Sequence, residues 1–342
     1  MPEKIKVLMI GPDRQMQGGV STVVNNYYAA GIEQYVDVTY LPTISDGSKF
    51  AKLWWAVKSS ASFSVAYKHY NLLHIHMAAN ASFIRKALLV KKAYKAGIPI
   101  LIQEHGGDFN SFYDRLDENE QKTVKDIFSM ADRVIALSEE WKEFFGNGIC
   151  DPRKIVVMHN GVIVPEKGIE EYKSHNVLFL GRLCKEKGIY DLLDVIPCIL
   201  KSVPDAHFYL CGDGEMDLVK ERVKGLGIEK SVMLPGWVRE KEKDEIIEKC
   251  ETLVLPSYYE GMPMVVLEAM SYGYVVIATD VGGTRQIIDG ENGVLIQAGD
   301  KDDLERQLIR VLSMATTRAS YGKKARETIE DRFDLRKSLE GL

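Results

Sequence analysis

The chain has 342 residues, 46% of them apolar, 27% charged and 9% aromatic, proportions that exclude a disordered chain, a collagen and a coiled coil. A single core rarely grows past roughly 250–300 residues, so the length predicts two domains. The formal charge of −5 is unevenly spread: up to Gln103 there are 12 lysines and arginines against 5 acids, a surplus of +7, which leaves −12 for the remainder.

Met1 to Lys6 leads straight into a strand pattern at Ile5–Ile10, without the apolar core of a signal peptide. The loop that follows has glycines at 11, 18 and 19, a spacing that does not fit the GxGxxG turn under a dinucleotide. Gly18 and Gly19 read either as a flexible turn or as a bare backbone that lets the amides at a helix start, Ser21–Asn26, approach an anion. The longest stretch without a charged residue, Gln15 to Ile32, is broken by Gln, Gly and Asn, so no membrane span is expected.

Ser48–Tyr70 then holds Lys49, Lys52, Lys58 and Lys68 with no acid, alongside Phe50, Trp54, Trp55 and Phe63. At about 100° per residue, Phe50, Leu53, Trp54, Val57 and Ala61 share one face. Arg85, Lys86, Lys91, Lys92 and Lys95 make a second acid-free basic segment, with a helical period over Lys86–Ala96. A basic amphipathic surface with tryptophans suits the headgroup region of an anionic membrane; the alternative packs the apolar face on a sheet and leaves the lysines merely solvated. No nucleic-acid-binding motif accompanies the charge.

Leu72–Ile75, Ile98–Gln103, Arg133–Leu137 and Ile155–Met158 read as further strands. His74 and His76 lie on one face of the first and read as core or supporting residues. His105, in Glu104-His105-Gly106-Gly107, stands at a strand's carboxyl end beside two glycines, where a ligand would pass. After Asn160-Gly161, the segment Val162 to His175 holds Pro165, Gly168 and a cluster of charges, and reads as a solvated linker. The predicted division is 1–165, a linker at 166–175, a second domain at 176–330 and a short closing segment at 331–342.

In the second half, strand patterns at Asn176–Leu180, His207–Cys211, Thr252–Pro256 and Val275–Thr279 alternate with helical ones at Asp191–Lys201, Glu215–Leu226 and Asp303–Ser313. Such alternation predicts an α/β protein of two doubly wound, Rossmann-like parallel sheets facing a central cleft. Arg182 and Lys187 follow the first of these strands and precede a helix at Ile189, enough cationic charge to hold a diphosphate without a metal. In Tyr258 to Met270, Pro263 suits a first helical turn, and Gly261 with the early amides forms an anion site before it. Glu260 precedes that helix and Glu268 lies inside it, eight residues apart; acids so near phosphates suit neutral hydroxyls. Asp300-Lys301-Asp302 reads as the acidic first turn of a helix. Cys150, Cys184, Cys198, Cys211 and Cys250 show no zinc spacing and read as reduced thiols of a cytosolic protein.

Gly181-Arg182-Leu183 with Lys187-Gly188, the Glu260/Glu268 pair with Glu-Gly-Met-Pro, Asn160-Gly161-Val162 and the Gly-Gly loop together resemble the retaining family 4 glycosyltransferases (glycosyl transferases group 1) of GT-B fold. The resemblance implies that Arg182 and Lys187 grip the donor diphosphate, Glu268 the ribose and Glu260 the transferred sugar, with the Gly261, Met262, Pro263, Met264 and Val265 segment at phosphates and hydroxyls. It places Gly18 and Gly19 at the diphosphate from the acceptor-side domain and His105 near the sugar's anomeric side. Where the family often has Pro-Glu after Val281-Gly282-Gly283, this chain has Arg285-Gln286, and no role is carried onto Gln286. The family's long terminal helix would be short or missing here, since the sequence stops soon after Arg332-Phe333-Asp334.

The expected activity is retaining transfer of a hexose or N-acetylhexosamine from a UDP-sugar to a glycan acceptor, such as a lipid-linked polysaccharide or oligosaccharide precursor, with no metal or other cofactor. The expected setting is cytoplasmic, peripheral on the inner face of a membrane through Lys49, Lys52, Trp54, Trp55, Lys58, Arg85 and Lys86. A sugar-nucleotide epimerase and a non-catalytic partner subunit of another transferase are the rival readings.

Overall fold

The computed structural model describes residues 4–340 apart from 46, 48 and 239; the side chains at 49–53, 56, 57, 240, 241, 244 and 340 are outside the described set. The chain divides into two compact units, Met1–Ile163 with Leu335–Leu342, and Val164–Asp334.

In the first unit, β1 (Lys6–Gly11), β2 (Asp37–Pro42), β3 (Leu72–Met77), β4 (Ile100–Glu104), β5 (Arg133–Ala136) and β6 (Ile155–Val157) form one parallel sheet, in the order β2-β1-β3-β4-β5-β6. Between the strands run α1 (Gly19–Ala29), α2 (Lys49–Ala66), α3 (Ala81–Lys95), α4 (Phe109–Asp114), α5 (Glu118–Ser129) and α6 (Glu139–Gly146). The inner strands read as continuous apolar runs because helices on both faces bury them. Phe109 anchors the core, its ring 5.2–6.4 Å from those of Phe83, Phe112, Phe128, Phe144 and Phe145, mostly edge-on. Each ring buried in this way contributes about 1.5–3 kcal/mol.

The second unit repeats the plan with β7 (Asn176–Leu180), β8 (His207–Cys211), β9 (Val232–Gly236), β10 (Thr252–Leu255), β11 (Val275–Thr279) and β12 (Val294–Ile296), ordered β12-β11-β10-β7-β8-β9. Its helices are α7 (Ile189–Ser202), α8 (Met216–Leu226), α9 (Glu240–Ile247), α10 (Met264–Tyr272), α11 (Thr284–Ile287), α12 (Lys301–Ser313) and α13 (Ala315–Arg332). Asp300 caps α12 by accepting the Asp303 amide, the acidic first turn expected there. After Asp334 the chain rejoins the first unit as α14 (Leu335–Glu340), where the Leu335 amide donates to the Val162 carbonyl at 3.0 Å.

The segment expected as a linker is docked on the second unit. The Ile169 amide donates to the Tyr272 carbonyl at 2.8 Å, and the Lys173 and Ser174 amides donate to Glu251 Oε1 at 2.6 and 2.7 Å. The α13 residue Arg318, fully buried, faces the other Glu251 oxygen at 3.3 Å.

Strand order fixes where ligands can enter. In the first sheet the direction of winding reverses between β1 and β3, and in the second between β7 and β10. At such switch points the loops leaving the carboxyl ends diverge and open a crevice. The loops in question are Pro12–Gly18, the segments after β3 and β4, and those after β7 and β10.

Candidate active site

At the second switch point the loop after β7 is pinned to its neighbours by backbone bonds. The Gly181 amide donates to the Cys211 carbonyl at 3.0 Å and the Leu183 amide to that of Asp213 at 2.6 Å. A single 3-10 turn, Lys185–Lys187, then leads to Gly188 at φ 70, where a Cβ would strike the Pro256 carbonyl. Only glycine lets this loop lie against the end of β10. From the other side the Tyr258 amide donates to the Glu186 carbonyl at 2.8 Å. The convergence brings Lys187 Nζ to 2.6 Å from Glu260 Oε1, with the carboxylate side chain only 10% exposed.

Glu260 is held from behind by Val281-Gly282-Gly283. Gly282 takes φ 52, where a Cβ would strike the Glu260 carbonyl, and the Gly283 amide donates to the Gly261 carbonyl at 2.6 Å. Pro263 stands at the N-cap of α10 rather than in its first turn, one place earlier than expected, and no side chain caps the helix start. Glu268, one turn further on, has its Oε2 2.7 Å from Lys243 Nζ on α9. Arg182 is exposed and makes no ion pair among the described residues. The arrangement can hold an anion between two cations and a helix start, and accept hydroxyl hydrogen bonds at two carboxylates. Sequence reasoning missed Lys243, which lies in no motif.

At the first switch point Gly18 is the N-cap of α1, at φ 139, and Gly19 opens the helix two residues before Ser21. A Cβ on either would meet nothing within 4 Å, so the backbone there borders open space. Beyond β3, Asn80 takes φ 57, the one non-glycine residue with positive φ among those described, a strained conformation of the kind stored at binding loops. His105 follows β4, its Nε2 2.9 Å from His76 Nδ1, while His74 Nε2 lies 2.9 Å from Gln103 Oε1. Burial pushes His105 down to about 3 and His74 to about 4, so both are neutral imidazoles near neutral pH. His105 Nδ1 and His76 Nε2 are buried without a hydrogen-bond partner.

Beneath His105, Glu104 is buried with Oε1 accepting the Gly106 amide at 2.7 Å, and burial raises its carboxyl well above the usual range. Lys86 is 2% exposed, donates to Ser82 Oγ at 2.8 Å, and is pushed by burial down to about 7. This corrects its expected membrane role: Lys86 lies on the inner side of α3 and cannot meet a bilayer. Arg85 is half-buried with its Nε sealed. Trp54 is exposed, Trp55 half-buried, and Lys58 Nζ lies 4.8 and 4.9 Å from their ring centroids. The side chains of Lys49 and Lys52 are outside the described residues.

All five cysteines are free thiols. Among the described residues no group of three or more His, Cys, Asp or Glu could hold a metal ion, and no helix is long and apolar enough to cross a membrane.

The family model described as Glycosyltransferase Family 4 matches residues 17–164, and that described as Glycosyl transferases group 1 matches residues 163–328. The UDP-Gal:alpha-D-GlcNAc-diphosphoundecaprenol alpha-1,3-galactosyltransferase of Escherichia coli is 28% identical over 301 residues, covering 80% of this chain and 74% of that one. Among solved structures, sucrose-phosphate synthase from Thermosynechococcus elongatus matches with a TM-score of 0.79 at 18% identity, over 99% of this chain and 97% of that one. Anabaena Alr3699/HepE in complex with UDP matches with a TM-score of 0.74, also at 18% identity, over 99% and 100%. Both share the fold described above.

Proposed function

This chain belongs to the Family 4 and group 1 glycosyltransferases, with a fold of the GT-B type, and from that premise we propose that it moves a hexose or N-acetylhexosamine from a UDP-sugar onto a lipid-linked glycan, with retention of configuration and without a metal. The observation that carries the reading is the meeting of Lys187 and Glu260, 2.6 Å apart, in front of the uncapped start of α10. Arg182, Lys187 and the amides of Gly261–Val265 take the diphosphate, Glu260 the transferred sugar and Glu268 the ribose diol. In the first unit the same reading gives Gly18 and Gly19 an anion-facing helix start, and His105 a neutral imidazole for the sugar.

The main assistance to reaction is electrostatic. Charge develops on the departing diphosphate, and fixed cations and helix-start amides stabilise it there more than in the ground state. The departing phosphate takes the acceptor's proton on the face from which the acceptor attacks, so configuration is retained. A UDP donor is supported by the UDP bound to the Anabaena protein and by UDP-Gal in the name of the Escherichia coli relative. That name also supports a diphosphate-lipid acceptor, and an acceptor held in a bilayer by its lipid calls for work at a membrane surface.

Transfer from UDP-sugars is expected to persist in EDTA and to collapse in Glu268→Ala and in Lys187→Ala, each by about 10²–10³. Activity of the unaltered chain abolished by EDTA would sink the metal-free mechanism.

A further inference from the structure

Helices α2 and α3 of the first unit present a surface that transfer chemistry leaves unexplained. Of the twelve large apolar side chains exposed among the described residues, five fall between Trp54 and Tyr94: Trp54, Val65, Ile84, Leu88 and Tyr94, at 56–79% exposure. On α3, Ile84, Leu88, Lys91, Lys92 and Lys95 recur at helical spacing along one stripe about 100° wide, while Val90 and Ala93 on the opposite side are fully buried. On α2, Trp54, Lys58 and Val65 make a second stripe, opposite the fully buried Phe63. The Lys92 ammonium donates to Ser64 Oγ at 2.5 Å, so the two helices are neighbours. No Asp or Glu occurs between Asp46 and Glu104.

Isolated aliphatic side chains on a surface need no explanation, but a cluster of them among lysines does. A nucleic acid would use the lysines and leave Ile84 and Leu88 in water. A neutral protein partner would use the aliphatics and leave the lysines without counter-ions. An anionic lipid surface uses both, taking aliphatic and indole groups at the headgroup boundary and pairing ammonium groups with phosphates. We propose that the outward face of α2 and α3 docks the first unit on an anionic bilayer, with Trp54, Ile84 and Leu88 inserted and Lys58, Lys91, Lys92 and Lys95 at phosphate level. The proposal rests on the reading of a lipid-linked acceptor for its purpose, and its placement differs from the sequence expectation by excluding Lys86 and by setting Ile84 and Leu88 beside the α3 lysines.

The test is co-sedimentation of the full chain with vesicles of phosphatidylcholine alone and with phosphatidylglycerol added. Binding is expected only with the anionic vesicles, weakening as salt is raised. Lys91→Gln and Lys95→Gln should each lower the partition coefficient by about fivefold, and Ile84→Glu with Leu88→Glu by more than about tenfold. Equal binding to neutral vesicles, no binding to either, or stripe variants that bind like the unaltered chain would overturn it. A solution dimer abolished by Leu88→Glu, without vesicle binding, overturns it in favour of a second copy. The salt titration uses the unaltered chain, so a misfolded variant cannot decide the outcome. UDP-sugar binding without docking overturns the proposal and leaves the donor reading standing; docking by a chain that binds no UDP-sugar supports it and removes the donor reading.

Discussion

Lys243 holds Glu268 as Lys187 holds Glu260, so the two carboxylates proposed to grip the donor each have a lysine partner. If Lys243 orients the Glu268 carboxylate for the ribose diol, Lys243→Met should raise the donor KM by about 3–10-fold while kcat changes little, the split expected when binding common to ground and transition state is lost. Steady-state kinetics against UDP-sugar separates this from a folding defect, which would lower the active fraction without moving KM. Neither pair could be seen in the sequence: Lys187 and Glu260 are 73 residues apart and Lys243 and Glu268 are 25 apart, and the pairs exist only because folding brings together two loops in the first case and helices α9 and α10 in the second. The buried histidines give a second prediction. His74, His76 and His105 all titrate below the ordinary histidine value because burial disfavours the cation. The unfolded chain therefore binds more protons than the folded one as pH drops below about 6.5. Unfolding free energy should decline from there down to about pH 3, where the last of the folded-state values that are fixed lies. Urea denaturation across that range should show a shallower decline in a His74→Gln, His105→Gln double variant. The raised Glu104 carboxyl works in the opposite sense above its ordinary range, and depressed Lys86 adds stability as pH rises above about 7.

Elements differ in how plainly the chain announces them. Inner strands such as β1, β3, β8 and β11 are apolar on both faces and were legible as runs, whereas β2, β9 and β12 went unread. All three are edge strands, with only one neighbour to bury them, and β2 alternates exposed and half-buried positions. The helical period over Lys86–Ala96 starts five residues after α3 does, because the N-cap, Asn80, makes no capping bond and the first turn lacks an acid. The start of α10 is legible to within one residue because Gly261 and Pro263 punctuate it, Pro263 being the N-cap. Two glycines at loop ends give contrasting expectations. Gly188→Ala combines a φ of 70 with a Cβ driven into the Pro256 carbonyl; it should cost more than about 1–2 kcal/mol in a urea titration and lower activity by displacing Lys187. Gly19→Ala has open space around it and a helical position, so stability should hold or rise by about 0.5–1 kcal/mol. If the bare backbone at Gly19 faces the donor diphosphate, UDP-sugar affinity should fall in that variant even as its thermal midpoint holds.

For the whole molecule, length announced two units and alternation announced their class, but nothing in the composition told how the second unit is closed. Glu251 follows α9 and accepts the amides of Lys173 and Ser174, while its other oxygen faces Arg318, which also donates to the carbonyls of Val311 and Leu312. Arg318→Met should cost about 3–5 kcal/mol, since it strands a buried carboxylate, and differential scanning calorimetry should show the loss in the second unit's transition. Arg326 adds a further tie, from α13 to the Pro165 and Ser271 carbonyls. The entry segment of the unit is thus fastened by its last helix, more than 140 residues of chain later. During synthesis, a nascent chain that has emerged only as far as α12 holds an acid with its amides in place and its counter-ion still inside the ribosome. The second unit can then gain this tie only once α13 has emerged, long after the first sheet has all six of its strands.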